Sequence, residues 1–98
     1  METIDSDGFD SFINEDRILV DFYADWCGPC KMLLPVLEEL EKQSNIEIKK
    51  VNVDKSRDLA KKYGVMTIPT LIIFNHGKEI KRHTGYLTLD ELDEFIKN

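Results

Sequence analysis

Two kinds of apolar pattern alternate along the chain, and each predicts a different element of secondary structure. Short runs that are apolar at nearly every position are typical of strands covered on both faces, and they occupy residues 18–23 and 71–74. Residues 46–54 alternate apolar and polar positions, which also predicts a strand. Elsewhere apolar residues recur at spacings of three and four, as on one face of a helix. These positions predict four helices, with apolar faces at Phe9, Phe12 and Ile13; Met32, Leu33, Val36, Leu37 and Leu40; Leu59, Ala60 and Tyr63; and Leu89, Leu92, Phe95 and Ile96.

Residues that cap helices lie at the borders of these segments. Ser6 and Ser56 are expected to cap the first and third helices, and Gly64 is expected to end the third in a left-handed conformation. Thr88 and Glu91 have the spacing of a capping box, which predicts the start of the last helix. The capping residues and the apolar periodicity together predict where the helices begin and end.

The order of the elements predicts how the strands are connected. A strand, a helix and a strand between residues 18 and 54 imply a right-handed crossover and parallel pairing. Residues 75–78 read Asn-His-Gly-Lys, a turn sequence, so residues 79–84 are expected to return as the second arm of a hairpin. Thr3 and Ile4 can form at most a short strand at one edge. The chain is therefore predicted to be an α/β protein.

Length and charge restrict the possible functions. The 98 residues are enough for a single domain, 1–98, with one core, and leave no room for a second lobe. The net charge of −6 argues against nucleic acid or an anionic membrane as a partner, because both require clustered lysine and arginine. The acidic N-terminus lacks the apolar segment of a secretory signal, and no apolar run approaches the roughly 18 residues that span a bilayer. The expected location is cytoplasmic.

Cys27 and Cys30 are the only cysteines, and three kinds of site could use them. A structural disulfide stabilises a protein by closing a long loop, whereas this pair closes almost none. A zinc site needs further ligands, and His76 and His83 belong to the predicted hairpin. Redox chemistry needs two neighbouring thiols, and a C-x-x-C between a strand and a helix in a cytoplasmic protein favours it. A metal site and inert cysteines stay open as alternatives.

A helix that begins at this motif would give the two thiols different properties. Cys27 would lie at the cap, where unpaired N–H groups and the positive end of the helix dipole favour the thiolate, and Cys30 would lie one turn further. Pro29 suits a first turn because its missing N–H has no partner to lose there, and Gly28 leaves the approach to Cys27 open.

Asp21 is the one charged residue in the apolar run 18–23. A carboxylate inside a covered strand loses hydration, so its pKa is expected to rise and the group is expected to have a partner or a function. The alternative is an edge position from which the side chain reaches solvent.

Several segments together resemble the thioredoxin family. Residues 20–32, VDFYADWCGPCKM, are similar to its active-site segment at nearly every position, and residues 63–65, 68–71, 74 and 77 are similar to its second half. The resemblance implies the thioredoxin fold: a central five-stranded mixed sheet flanked by four helices, with the last two strands antiparallel to the others. Tyr23 departs from the resemblance, because tryptophan is frequent at that position.

The resemblance also implies roles for individual residues. By position, Cys27 would attack a substrate disulfide and Cys30 would resolve the mixed disulfide. Asp21 matches a buried carboxyl that takes the proton from the resolving thiol, and Lys50 matches a lysine that lies near it. Pro69 matches a cis-proline, an isomer that X-Pro bonds alone adopt at low cost.

The implied substrate surface is flat and mostly apolar. The backbone of Ile68 would lie beside the sulfurs and pair with an extended substrate segment. The other docking residues would be Trp26, Gly28, Pro29, Met66, Pro69 and Gly85. For Met66, a position in the core is the alternative.

The implied function is that of a dithiol carrier, which reduces disulfides in client proteins and is recharged by a thioredoxin reductase. It would act as a monomer and need no bound cofactor or metal, because its electrons reside on the reversible Cys27–Cys30 disulfide. Gly28 and Pro29 between the cysteines favour reduction, since histidine at the second position typifies oxidising relatives. Three alternatives stay open: a disulfide oxidant or isomerase, a binding module in which the thiols are incidental, and a metal or iron–sulfur protein that bridges two chains.

Overall fold

The computed structural model describes residues 1–97, and residue 98 of the predicted domain lies outside them. The described residues form a mixed sheet with helices on both faces. No helix among them is long and apolar enough to cross a membrane. Strands and helices follow one another as β1 (Glu2–Thr3), α1 (Phe9–Ile13), β2 (Ile18–Tyr23), α2 (Gly28–Gln43), β3 (Glu47–Asn52), α3 (Arg57–Lys62), β4 (Thr70–Asn75), β5 (Lys78–Thr84) and α4 (Leu89–Ile96).

The sheet has the strand order β1-β3-β2-β4-β5, which places β2 in the middle. β1 and β2 both pair in parallel with β3, as the predicted crossover requires. β4 pairs antiparallel with β2, and β5 pairs antiparallel with β4. The expectation that the last two strands both oppose the others is therefore wrong. Among the described strands, β4 alone runs against β1, β2 and β3, and β5 runs with them.

The second reversal of direction results from the two-residue turn between β4 and β5. His76 and Gly77 have φ values of 51° and 84°, and positive φ at both central residues characterises the type I′ turn of tight hairpins. The turn is also bound to the loop after α1, because the N–H groups of His76 and Gly77 donate to the carbonyl oxygens of Glu15 and Ile13 at 2.8 and 2.9 Å. Since a hairpin reverses the chain, β5 takes the direction of β2.

Apolar side chains cover both faces of the sheet. Along β2, Val20 and Phe22 point to the layer with α1 and α3, whereas Leu19 points to the layer with α2 and α4. A strand covered in this way explains why residues 18–23 are apolar almost throughout. The first layer buries Ile4, Phe9, Ile13, Ile18, Val20, Phe22, Val51, Leu59, Ile72 and Phe74. The second buries Leu19, Leu33, Leu37, Leu40, Ile48, Leu71, Ile73, Leu87 and Leu92.

Two helix predictions are wrong in detail. Gly8, with a φ of 85°, is the N-cap of α1 in place of Ser6, whose hydroxyl instead donates to Asp58 Oδ1 at 2.6 Å. Met32 does not belong to the buried face of α2, because 60% of it is exposed. Successive residues of a helix are about 100° apart, so Met32 lies well to the side of the buried Leu33.

The start of α4 is a complete capping box, as predicted. Thr88 Oγ1 accepts a hydrogen bond from Glu91 N–H at 3.2 Å, and Glu91 Oε1 accepts one from Thr88 N–H at 2.9 Å. The predicted borders of α3 are confirmed in position, with Ser56 before it and Gly64 after it at a φ of 64°. The Ser56 side chain, however, makes no capping hydrogen bond within residues 1–97.

Replacing Thr88 tests the capping box. We expect Thr88→Ala to lower the free energy of unfolding by about 1 kcal/mol, because the Glu91 N–H at the start of α4 loses the hydroxyl that accepts its hydrogen bond. Thr88→Ser keeps the hydroxyl and is the matched control, expected within about 0.3 kcal/mol of the parent. Urea unfolding followed by circular dichroism measures both. Equal midpoints for the alanine and serine variants would contradict the role of the hydroxyl.

Candidate active site

Cys27 lies where the chain leaves the centre of the sheet and enters α2. It is the N-cap residue of that helix, and its Sγ accepts a hydrogen bond from Cys30 N–H at 3.2 Å. Cys27 and Cys30 are joined as a disulfide, with their Cα atoms 5.2 Å apart. Because unpaired N–H groups and the helix dipole converge on this sulfur, α2 stabilises negative charge there once the disulfide is reduced. The predicted cap position of Cys27 is confirmed.

The residues between the cysteines leave open space beside the disulfide. Gly28 and Pro29 occupy the first turn of α2, where the missing N–H of proline removes no helical hydrogen bond. A Cβ added at Gly28 would meet no atom of residues 1–97 within 4 Å. The sulfurs themselves are nearly buried, since only 4% of Cys27 and 5% of Cys30 is exposed. A partner molecule therefore reaches them by close contact with the surrounding surface.

The loop before β4 lies against the disulfide. The Ile68–Pro69 peptide bond is cis, as the resemblance implies, and the Ile68 carbonyl oxygen is 3.9 Å from Cys27 Sγ. The Pro69 carbonyl oxygen accepts a hydrogen bond from Gly85 N–H at 2.8 Å, which ties this loop to the segment after β5. Gly85 has a φ of 106°, a conformation that favours glycine. The structure thus places Ile68 beside the sulfurs, and Pro69 links it to Gly85.

Two exposed apolar side chains flank these segments along the chain. Trp26 precedes Cys27 and is 69% exposed, and Met66 lies two residues before Ile68 and is 94% exposed. The alternative that Met66 belongs to the core is therefore wrong. Aromatic residues and methionine are enriched at protein–protein contacts, so their exposure here fits a contact surface.

Trp26 has a hydrogen-bond partner that the sequence analysis did not identify. Its Nε1–H donates to Asp54 Oδ2 at 2.8 Å. Asp54 follows β3, and the carboxyl ends of the parallel strands β2 and β3 lie at the same edge of the sheet. An acidic residue at the carboxyl end of a strand predicted to be parallel is the signal that could have identified this contact.

Asp21 is buried in the middle of β2, with 2% of the residue exposed, so the edge alternative is wrong. Its Oδ1 finds no hydrogen-bond partner among residues 1–97. Desolvation raises the pKa of the carboxyl to about 7, and the positive charge of Lys50 opposes this shift. The predicted rise in pKa is confirmed, and the group can exchange a proton near neutral pH.

Lys50 and Cys30 share the surroundings of this carboxyl. Lys50 stands directly opposite Asp21 in the pairing of β2 with β3, and its Nζ lies 4.4 Å from the centre of the Tyr23 ring. Asp21, Cys30 and Lys50 all line one cavity of about 160 Å³. A cavity of this size with polar groups in its wall has room for water, which can carry a proton between groups that do not touch.

The histidines considered for a zinc site belong to another part of the fold. His76 lies in the turn of the β4–β5 hairpin, and His83 lies in β5. The described part of the chain contains no group of three or more His, Cys, Asp or Glu side chains placed to hold a metal ion. Within residues 1–97, the cysteine pair is therefore not part of such a ligand cluster.

Comparison with known proteins identifies the family to which the chain is similar. The Thioredoxin family model matches residues 1–98. The thioredoxin of Chlamydia caviae is 47% identical over 97 residues, which cover 98% of this chain and 95% of that protein. The thioredoxin of Bacillus subtilis is 41% identical over 90 residues, which cover 90% of this chain and 86% of that protein. The structure of a mutant thioredoxin from Halobacterium salinarum is similar, with a TM-score of 0.89 and 38% identity, over 98% of this chain and 86% of that one.

These similarities extend over nearly the whole chain, and the solved structure shares its fold. The mixed sheet of five strands with four helices confirms the predicted fold class. With a family model matched along its full length and relatives above 40% identity, the chain belongs to the thioredoxin family, and its Cys27–Cys30 pair makes it a thiol–disulfide oxidoreductase.

Proposed function

We propose that the protein is a dithiol carrier that reduces disulfides in client proteins. The observation that carries the proposal is the position of Cys27 Sγ at the N-terminus of α2, where it accepts a hydrogen bond from Cys30 N–H. A thiolate is the species that attacks a disulfide, and this environment favours the thiolate over the thiol. Reduction is the proposed direction because Gly28 and Pro29 separate the cysteines, as they do in reducing relatives.

The first step of the proposed reaction forms a mixed disulfide. The Cys27 thiolate attacks one sulfur of the client disulfide, so that a bond between Cys27 and the client forms while the client disulfide bond breaks. The departing client sulfur leaves as a thiolate and takes up a proton from solvent. The client is then held covalently, and Cys30 still carries its thiol proton.

The second step releases the client. Cys30 gives its proton to Asp21 across the cavity that both residues line, and the Cys30 thiolate attacks Cys27 Sγ. The bond between Cys27 and the client breaks, the second client sulfur leaves as a thiolate that takes up a proton, and the Cys27–Cys30 disulfide forms. A pKa of about 7 supports this role of Asp21, because such a carboxyl can both accept and return a proton near neutrality. Lys50 is proposed to adjust that pKa through its charge.

The client is proposed to bind as an extended segment beside the disulfide. The Ile68 carbonyl oxygen, 3.9 Å from Cys27 Sγ, is available to a backbone N–H of such a segment. The exposed side chains of Trp26 and Met66 would add apolar contacts. The proposed docking surface consists of Trp26, Gly28, Pro29, Met66, Ile68, Pro69 and Gly85.

The oxidised protein needs two electrons before it can act again, and a thioredoxin reductase is the proposed source. The proposed cycle uses no bound cofactor or metal, because the reversible disulfide carries the electrons. We propose that residues 1–98 act as one domain and as a monomer in the cytoplasm, where reducing conditions allow neighbouring cysteines to cycle. The net charge of −6 supports clients other than nucleic acids or anionic membranes.

Serine variants separate the two proposed cysteine roles. We expect Cys27→Ser to lower the rate of insulin reduction by dithiothreitol to the rate without protein, because the attacking sulfur is gone. We expect Cys30→Ser to accumulate a covalent complex with the client, because the resolving sulfur is gone, and mass spectrometry detects that complex. The double variant is the control and is expected to trap nothing. Undiminished insulin reduction by Cys27→Ser, or no trapped complex with Cys30→Ser, would overturn the assignment.

Asp21→Asn tests the proposed proton acceptor. The variant keeps the shape of the side chain but cannot take the Cys30 proton, so we expect the resolving step to slow about 10²-fold near neutral pH. In the parent, that step speeds up as the pH rises through about 7 and Asp21 ionises, and the variant is expected to lack this rise. Single-turnover kinetics at several pH values measure both effects. Identical pH profiles for parent and variant would remove Asp21 from the mechanism.

Stability supplies the control against a folding defect in Asp21→Asn. Folding raises the pKa of Asp21 from 3.8 to about 7, so the folded state binds this proton more tightly than the unfolded state. The stability gained from that proton is complete below about pH 4 and is lost as the pH rises through about 7. Asparagine does not ionise, so Asp21→Asn does not lose this stability at high pH. The variant is expected to be more stable than the parent at about pH 8, by on the order of a few kcal/mol. If Asp21→Asn slows the resolving step and is also more stable than the parent, the slower step reflects the lost proton acceptor and not a folding defect.

A further inference from the structure

Tyr23 is the last residue of β2 and stands two positions after Asp21, so both side chains project from the same face of the sheet. Lys50 Nζ lies 4.4 Å from the centre of the Tyr23 ring, within the range of a cation–π interaction. Tyr23, Lys50, Asp21 and Cys30 line the same cavity. The cation that acts on the buried carboxyl is therefore held by an aromatic ring.

Lys50 acts on Asp21 through its charge. That charge lowers the pKa of the carboxyl, against the larger effect of burial. The effect acts through space, because the influence of Lys50 on the carboxyl pKa is coulombic. Its strength depends on the distance of the charge and on how much water screens it. Whatever fixes the position of the ammonium group therefore fixes its effect on the carboxyl.

We propose that Tyr23 is a positioning residue for proton transfer: its ring holds the Lys50 ammonium at the cavity that Asp21 and Cys30 share, and so fixes how strongly that charge acts on the carboxyl. The inference rests on the proposed function, in which Asp21 accepts the Cys30 proton. Tyr23 does not itself exchange that proton. It acts through Lys50.

Strand β1 lies beside both the ring and the lysine. Thr3 Oγ1 lies 3.4 Å from the Tyr23 hydroxyl oxygen, and Thr3 is paired with Lys50 in the register of β1 with β3. One residue of the short edge strand thus contacts the ring and stands beside the lysine that the ring holds. The ring and the lysine are therefore both neighbours of this edge strand, and the ring itself is the group that contacts the ammonium.

Other charged groups face the same cavity. Lys31 from α2 and Asp25 from the loop before it line the cavity with opposite charges. On the other side of β2, β4 faces Asp21 with Leu71, which carries no charge. A substitution at Tyr23 leaves all of these groups in place. A change in the carboxyl pKa in such a variant therefore reports on the lysine and on the hydration of the cavity.

Tyr23→Leu removes the ring and keeps the cavity wall apolar. We expect the pKa of Asp21 in the disulfide form to rise by about half a unit, because the ammonium loses its cation–π contact and moves into solvent, where water screens its charge. Carboxyl carbon chemical shifts followed by NMR across pH measure this value. The pH profile of the resolving step is expected to move upward by the same amount.

Two further variants isolate the path through Lys50. Tyr23→Phe keeps the ring, so the pKa of Asp21 is expected to match that of the parent. In a Lys50→Met background, Tyr23→Leu is expected to produce no further rise, because the cation that the ring positions is absent. An equal rise in both backgrounds overturns the proposal, as does no rise, a fall, or the same rise in Tyr23→Phe. Tyr23→Met repeats the test if leucine prevents folding.

The titration is independent of the proposed reaction. It uses the protein without any client, so a parent that fails to reduce insulin would refute the proposed function, and the pKa measurement would still decide the role of Tyr23. Full insulin reduction with an unchanged Asp21 pKa in Tyr23→Leu would refute the positioning role alone. A lowered melting temperature without a change in pKa has the same meaning, because a purely structural role predicts that result.

Discussion

The proton chemistry proposed for the site follows from the burial of the Asp21 carboxyl in the central strand. β2 has a neighbouring strand on each side and an apolar layer over each face, so a side chain in its middle has little exposure to solvent, and only 2% of Asp21 is exposed. A charge there loses hydration without gaining a hydrogen bond at Oδ1 from any of residues 1–97. Its pKa of about 7 follows from that loss. The fold thus tolerates a destabilising group that changes protonation at neutral pH, as active sites commonly do.

The central position of β2 also determines where the sulfur of Cys27 lies. The strand leads directly into the N-terminus of α2 and places Cys27 there, while antiparallel β4 brings the loop with Pro69 to the same edge of the sheet. Parallel β3 supplies Lys50 within the strand and Asp54 just beyond it. These groups come from separate parts of the chain and meet because of the strand order β1-β3-β2-β4-β5. A site at the carboxyl ends of parallel strands is the usual place for function in sheets of this kind.

Local signals in the sequence predict much of the fold and of the chemistry. Apolar periodicity differs between strands and helices, so it predicts most of the elements that the structure contains. The capping box at Thr88 is a contact between near neighbours in the chain, and the same is true of Cys27 at the start of the helix that carries Cys30. The raised pKa of Asp21 follows from the composition of its own strand, because an apolar run implies a covered environment.

Contacts between distant segments were decided by the tertiary structure. The neighbours of each strand determined that β5 runs with β2 and that Lys50 lies beside Tyr23. Ser6 binds Asp58 instead of capping α1, and Met32 faces solvent although its spacing predicted a buried position. Each of these side chains is compatible with several environments, and the packing of the sheet against the helices determines which one it occupies. Local patterns in the chain predict most of the elements and the groups that are proposed to react. The pairing of strands decided where those groups meet, because contacts between remote residues leave no periodic pattern in the chain.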